Sequence, residues 1–111
     1  MHITEKKNND IFIYTVQGDI DINSSPDIRK AFEKSTNAKA PYIVINLRDV
    51  SYIDSSGLAT LVEMLKKTRG YGGKLKLTNL APKVKSLFEI TKLEKLFEIY
   101  ETEEEACASP A

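Results

Sequence analysis

The chain has 111 residues, with 16 Lys and Arg against 16 Asp and Glu, one His, one Cys and no Trp. That length makes one domain, able to bury roughly two-thirds of its unfolded surface; 41% apolar and 29% charged residues exclude a disordered or membrane-embedded chain. Balanced charge removes bulk attraction to nucleic acid or anionic lipid, and one Cys leaves no internal disulfide and no sign of an oxidising compartment.

The first elements are strands. From the polar start MHITEKKNND no signal peptide is expected, and no 18-residue apolar run follows, so no membrane span is expected and the expected location is the cytoplasm. Residues 2–6 read as a short partner strand before the polar turn Lys7-Asn8-Asn9-Asp10. Ile11 to Val16 is rich in β-branched and aromatic residues and stops at Gly18, which predicts a strand. Ser24-Ser25-Pro26-Asp27 predicts a helix start with a hydroxyl cap, Pro in the first turn and an acid suited to the dipole. Ile28, Ala31 and Phe32 supply its apolar stripe.

The second half alternates in the same way. Tyr42 to Leu47 is a nearly continuous apolar run of strand length, suited to a strand covered on both faces. After the connection Arg48–Asp54 comes Ser55-Ser56-Gly57, and then Leu58, Leu61, Val62 and Leu65 at helical spacing. Gly70-Tyr71-Gly72-Gly73 ends that helix, and Lys74 to Thr78 alternates like a strand. Pro82 opens a helix with Val84, Leu87 and Phe88 on one face. Phe97 to Tyr100 reads as the last strand and Thr102 to Ala108 as a short terminal helix. The order ββαβαβαβα makes this an α/β domain with a mixed, mostly parallel sheet of four or five strands and crossover helices.

Chemistry is sparse. His2, expected at a frayed terminus, offers no dependable general base, which argues against Ser-His-Asp and Cys-His hydrolases and against a His/Cys zinc site. In open α/β sheets function gathers where strands end and the next helices begin. Asp54-Ser55-Ser56-Gly57 lies at such a point. Its two hydroxyls read either as helix caps, with Gly57 permitting close approach, or as an acceptor of chemistry done by another protein. Asp54 fits two roles, orienting the Ser55 hydroxyl or capping the helix. Ser56 reads as a cap or packing residue.

Residues 44–58, VINLRDVSYIDSSGL, resemble the signature of the STAS-domain anti-sigma-factor antagonists of bacteria. Val16-Gln17-Gly18-Asp19-Ile20-Asp21 upstream and Leu80-Ala81-Pro82-Lys83-Val84-Lys85-Ser86-Leu87-Phe88 downstream are similar to two further elements of that family, in order and at matching spacing. Ala59 stands where many members have a second small Gly. The resemblance covers about residues 3–105, within a single STAS domain over 1–111.

What it implies is a partner-switching module. The unphosphorylated protein binds an anti-sigma factor, a serine kinase of the GHKL ATPase type, and frees the sigma factor. The kinase then phosphorylates Ser55, and the complex dissociates; a PP2C-type phosphatase reverses the step. Asp21, Asp54, Ser55, Ser56 and Gly57 form the implied partner surface. Asp21 has the competing role of a turn or helix-cap acid, and Asp19 reads as a solvated turn residue. No catalytic residue, cofactor, metal or direct nucleic-acid contact is implied, and a monomer is expected when free. STAS domains also serve as scaffolds or accessory subunits of signalling and transport complexes, the alternative reading.

Other signals have plain explanations. Gly70-Tyr71-Gly72-Gly73-Lys74 lacks the spacing and hydroxyl of a phosphate loop and follows a helix. Residues 66–95 hold nine basic and two acidic residues, while 96–111 hold none and five; the basic stretch reads as lysines on wet faces, with an acidic partner patch as the rival. Glu103-Glu104-Glu105 reads as a solvated acid run, and Cys107 as a semi-buried small residue or free thiol.

Overall fold

Two apolar runs, 11–16 and 42–47, become adjacent parallel strands, and the rest of the chain is arranged around them. The computed structural model describes residues 1–108; the expected domain end at 109–111 lies outside the described residues. The elements are β1 (His2–Asn8), β2 (Ile11–Gln17), α1 (Ser25–Asn37), β3 (Tyr42–Asp49), α2 (Ser55–Gly70), β4 (Lys74–Thr78), α3 (Pro82–Ile90), a 3-10 turn (Leu93–Lys95), β5 (Glu98–Tyr100) and α4 (Glu103–Ala108). The five strands lie in the order β1-β2-β3-β4-β5; β1 is antiparallel to β2 and every other pair is parallel. This is the expected mixed α/β sheet, with the 3-10 turn as an addition.

The period of two along each strand divides the sheet into two unequal faces. Phe12, Tyr14, Val16, Ile43, Ile45, Leu47, Leu75 and Leu77 point into the main core with Ile28 and Phe32 of α1, Leu61 and Met64 of α2, and Val84 and Phe88 of α3. Phe32 meets Tyr14 edge-on with ring centroids 4.5 Å apart. Burial pushes the Tyr14 hydroxyl pKa up, so the phenol stays neutral and reaches the Ala31 carbonyl at 3.4 Å. On the opposite face Ile13 and Val44 are covered by Ala106 of α4, which is why both central strands read as continuous apolar runs.

Four expectations need correction. His2 does not fray: it pairs with Gln17 as the first residue of β1. The turn expected over 7–10 narrows to Asn9-Asp10, with Asn9 at φ 56°. Lys76 is not on a wet face. It is 2% exposed, because α4 lies over this side of β4; its ammonium donates to the Ala106 carbonyl at 3.0 Å and rests near the rings of Tyr42 and Tyr100. Glu103 is also engaged, accepting from Asn46 and pairing with Lys6.

The Phe32 ring fills the space between α1 and the sheet, so Phe32→Ala should lower stability by about 3–5 kcal/mol through lost burial and a residual cavity. Urea titration should show an earlier midpoint with little change in slope. Partial burial, with Glu103 nearby, raises the Cys107 thiol pKa above its ordinary value. Its thiolate fraction at pH 8 is thereby reduced, so iodoacetamide should alkylate it more slowly than a free thiol, with the rate still climbing at higher pH.

Candidate functional site at the start of helix α2

The carboxyl end of β3 and the start of α2 are joined by a short connection that touches the connection after β2. Ile20 and Ile53 form an isolated parallel bridge between them. The Ile20 amide donates to the Tyr52 carbonyl at 3.0 Å, and the Asp54 amide donates to the Ile20 carbonyl at 3.1 Å. The two connections are therefore one rigid unit.

Asp54 caps α2. Its Oδ1 accepts from the Gly57 amide at 2.8 Å and its Oδ2 from the Ile22 amide at 3.3 Å. Of its two possible roles, the cap is the one the geometry adopts. Neither hydroxyl of the pair is a cap: a carboxylate one residue earlier has taken the first-turn amide that a serine would use. Ser56 is half-buried, and its carbonyl accepts from Thr60 and Ser25. Ser55 is exposed and its hydroxyl has no hydrogen-bond partner among the described residues. The amides of Ser55 and Ser56 likewise have no acceptor among the described residues.

Gly57 is required for contact rather than for backbone conformation. A Cβ there would overlap the Ile20 carbonyl oxygen and lie 2.7 Å from the Ile20 Cγ2. The absent side chain lets α2 start flush against the β2–α1 connection.

Asp21 is turned toward its own loop. Its Oδ1 accepts from the amides of Asn23 at 2.9 Å and Ser24 at 3.0 Å. The hydroxyl cap expected for α1 is absent: Ser24 is itself in a helical conformation, and its side chain makes no cap bond. The Ser24 Oγ donates to the Asp19 carbonyl at 2.7 Å and accepts from the Asp21 amide at 2.9 Å. Asp21 thus shapes the loop that Asp54 holds through Ile22. Asp19 is exposed, as expected, and lines a surface depression with Asp21, Asn23 and Asp27.

Two further residues stand out at this end. Ile22 is 67% exposed and Tyr52 54%. Neither has a sequence signal of its own, since an apolar side chain in a loop reads the same whether it is covered or bare. Among the described residues no group of three His, Cys, Asp or Glu is arranged to hold a metal, and no helix is long and apolar enough to cross a membrane.

Gly57→Ala should separate α2 from the Ile20–Ile53 bridge and destabilise the fold by about 1–3 kcal/mol. Asp54→Ala should cost about 1 kcal/mol through the lost cap, while Asp54→Asn should retain most of it. Thermal unfolding ranks the three. Faster amide exchange at Ile22 in Asp54→Ala would mark the released loop.

The model of the STAS domain matches residues 2–106. An anti-sigma-B factor antagonist of Bacillus subtilis is 34% identical over 99 residues, covering 89% of this chain and 90% of that protein. An anti-sigma factor antagonist from Mycobacterium paratuberculosis shares the fold with a TM-score of 0.87 and 24% identity, over 96% of this chain and 90% of the other. The Bacillus cell fate determinant SpoIIAA in its phosphorylated form has a TM-score of 0.74 and 21% identity, over 96% of each chain. With nearly its whole length matched by the family model, the chain belongs to the STAS-domain family.

Proposed function

We propose that this protein is an anti-sigma-factor antagonist whose binding to an anti-sigma factor is switched off by phosphorylation of Ser55. The observation that carries this reading is the state of Ser55: exposed, unbonded, and first in a helix whose start is fixed by Asp54 and Gly57. A kinase needs a hydroxyl it can reach and a backbone that will tolerate the product. Relatives named anti-sigma-B factor antagonists support the same reading. The kinase is of the GHKL ATPase type and the reversing enzyme a PP2C-type phosphatase, as the family resemblance implies; the protein is their substrate and acts in the cytoplasm, as a monomer when free.

Phosphorylation adds about −1.5 to −2 charges at neutral pH. At the start of α2 that charge meets two unsatisfied amides and the positive end of the dipole, which stabilises it by about 0.3–1 kcal/mol at an exposed site. The negative charge of Asp54 next door opposes this. The fold is therefore retained, and the effect falls on the partner surface. A partner closing over Ser55 must strip water from the new charge, at a cost of about 2–5 kcal/mol where it finds no counter-charge. That corresponds to a fall in affinity of roughly 30-fold to several-thousand-fold.

Incubation with ATP and the cognate anti-sigma kinase should add one phosphate, absent in Ser55→Ala. Ser55→Asp should bind the kinase at least about 30-fold more weakly than wild type, with an unchanged far-ultraviolet circular dichroism spectrum. Equal binding by wild type and Ser55→Asp would sink the switch; a large loss of helix on phosphorylation would sink the account of how it works.

A further inference from the structure

An open cleft of about 640 Å³ lies beside the Ser55 site, lined by Asp19, Ser51, Tyr52, Ala81, Pro82 and Lys83. It lies where the connection before α2 meets the first turn of α3. Its apolar part is made by Tyr52, Ala81 and Pro82, and an exposed aromatic next to an open cleft is the composition of an interface centre. Tyr52 and Ile22 are two of only five large apolar side chains exposed among the described residues. Both are tied to the Ser55 unit: Tyr52 through its carbonyl to the Ile20 amide, Ile22 through its amide to Asp54.

The charges around the cleft differ from those of the neighbouring surface. Asp19, Asp21 and Asp27 line the adjoining depression. Lys83 is exposed and makes no ion pair among the described residues, whereas Lys85, two positions on, is paired with Glu101. A cation at one part of the cleft and a carboxylate, Asp19, at another ask for a partner with the opposite charges flanking an apolar side chain.

The backbone limits the form of that partner. The Tyr52 carbonyl, the Ile20 amide and carbonyl and the Asp54 amide are all consumed in joining the two connections. Those four groups are therefore closed to a partner strand, and the apolar anchor flanked by opposite charges suits the side chains of an amphipathic helix.

We propose that this cleft is the apolar anchor of the docking surface and receives an amphipathic helix of the anti-sigma factor. That helix inserts one large apolar residue against Tyr52 and Pro82, with a carboxylate toward Lys83 and a base toward Asp19. The inference rests on the proposed Ser55 reading and adds a division of labour to it. Tyr52 supplies affinity in the unphosphorylated state, Lys83 and Asp19 set orientation, and Ser55 carries the regulation.

The test uses the full chain and calorimetric titration with the purified cognate anti-sigma factor. Tyr52→Ala should weaken binding about tenfold or more. Lys83→Glu should weaken it roughly threefold to tenfold, by a factor that shrinks as salt is raised. Both side chains are exposed, so thermal midpoints should match wild type; Lys66→Glu, at the far end of α2, should bind as wild type. If wild type binds and is released by phosphorylation while Tyr52→Ala and Lys83→Glu bind equally well, the cleft proposal is wrong and the Ser55 switch stands. If wild type does not bind at all, both fall. If Tyr52→Ala instead abolishes self-association and leaves anti-sigma affinity intact, the occupant is a second copy and the proposal is overturned.

Discussion

One carboxylate joins two parts of the structure. Asp54 uses one oxygen to cap α2 and the other to hold the Ile22 amide of the preceding βα connection. Capping alone would fix only the helix. Reaching across to Ile22 also fixes the loop that Asp21 shapes, and Gly57 allows the two to approach because a side chain there would strike Ile20. Ser55 is left as the exposed member of the serine pair, its hydroxyl without a hydrogen-bond partner among the described residues. Its availability follows from the neighbouring acid having taken the cap position and the Gly57 amide, which leaves no capping bond for the Ser55 hydroxyl to make.

The net charge of zero hides an axis. Asp19, Asp21 and Asp54 gather around the strand-exit end where α2 begins, while Lys66, Lys67 and Arg69 lie toward its C-terminus, where Arg69 reaches the Leu96 carbonyl. Each sign lies at the helix end whose partial charge it offsets. A phosphate on Ser55 would add charge to the acidic end. In water with salt that field decays within about 8–10 Å, so the basic end does not feel it. The charge layout keeps the effect of a modification local.

Much of this was legible in the sequence because it rests on periodicity. The strand runs, the helical stripe from Leu58 to Leu65, and the element order follow from spacing that only one secondary structure satisfies. The position of Ser55 at a strand-to-helix junction followed too. Four features were not legible, each for a tertiary reason. Lys76 alternates with leucines like any half-exposed strand, and only the return of α4 over the far face buries it. Ser24 has the identity of a cap, yet Asp21, three residues earlier, organises the turn. Asp54 was readable as orienting or capping, and deciding required the Gly57 amide in space. Tyr52 and Ile22 gave no pattern at all, since exposure of a single loop residue depends on what fails to cover it.

The proposed switch needs a charge that matters to a partner and not to the fold, and solvent supplies the difference. On the free protein, the gain from the α2 amides and dipole is about 0.3–1 kcal/mol. Repulsion between two unit charges 4 Å apart in water is about 1 kcal/mol. The terms are similar and opposed, so folding is nearly indifferent to phosphorylation. Cover the same site with a partner and the water that weakened both terms is gone, while the desolvation of the new charge is added to the cost of binding. A site buried in the free protein would have coupled phosphorylation to unfolding. A site on a loose loop would have let the phosphate swing into solvent and spared the complex. Ser55 is exposed but rigidly placed by Asp54 and Gly57, and in the proposed switch that combination would convert a charge into a loss of affinity alone.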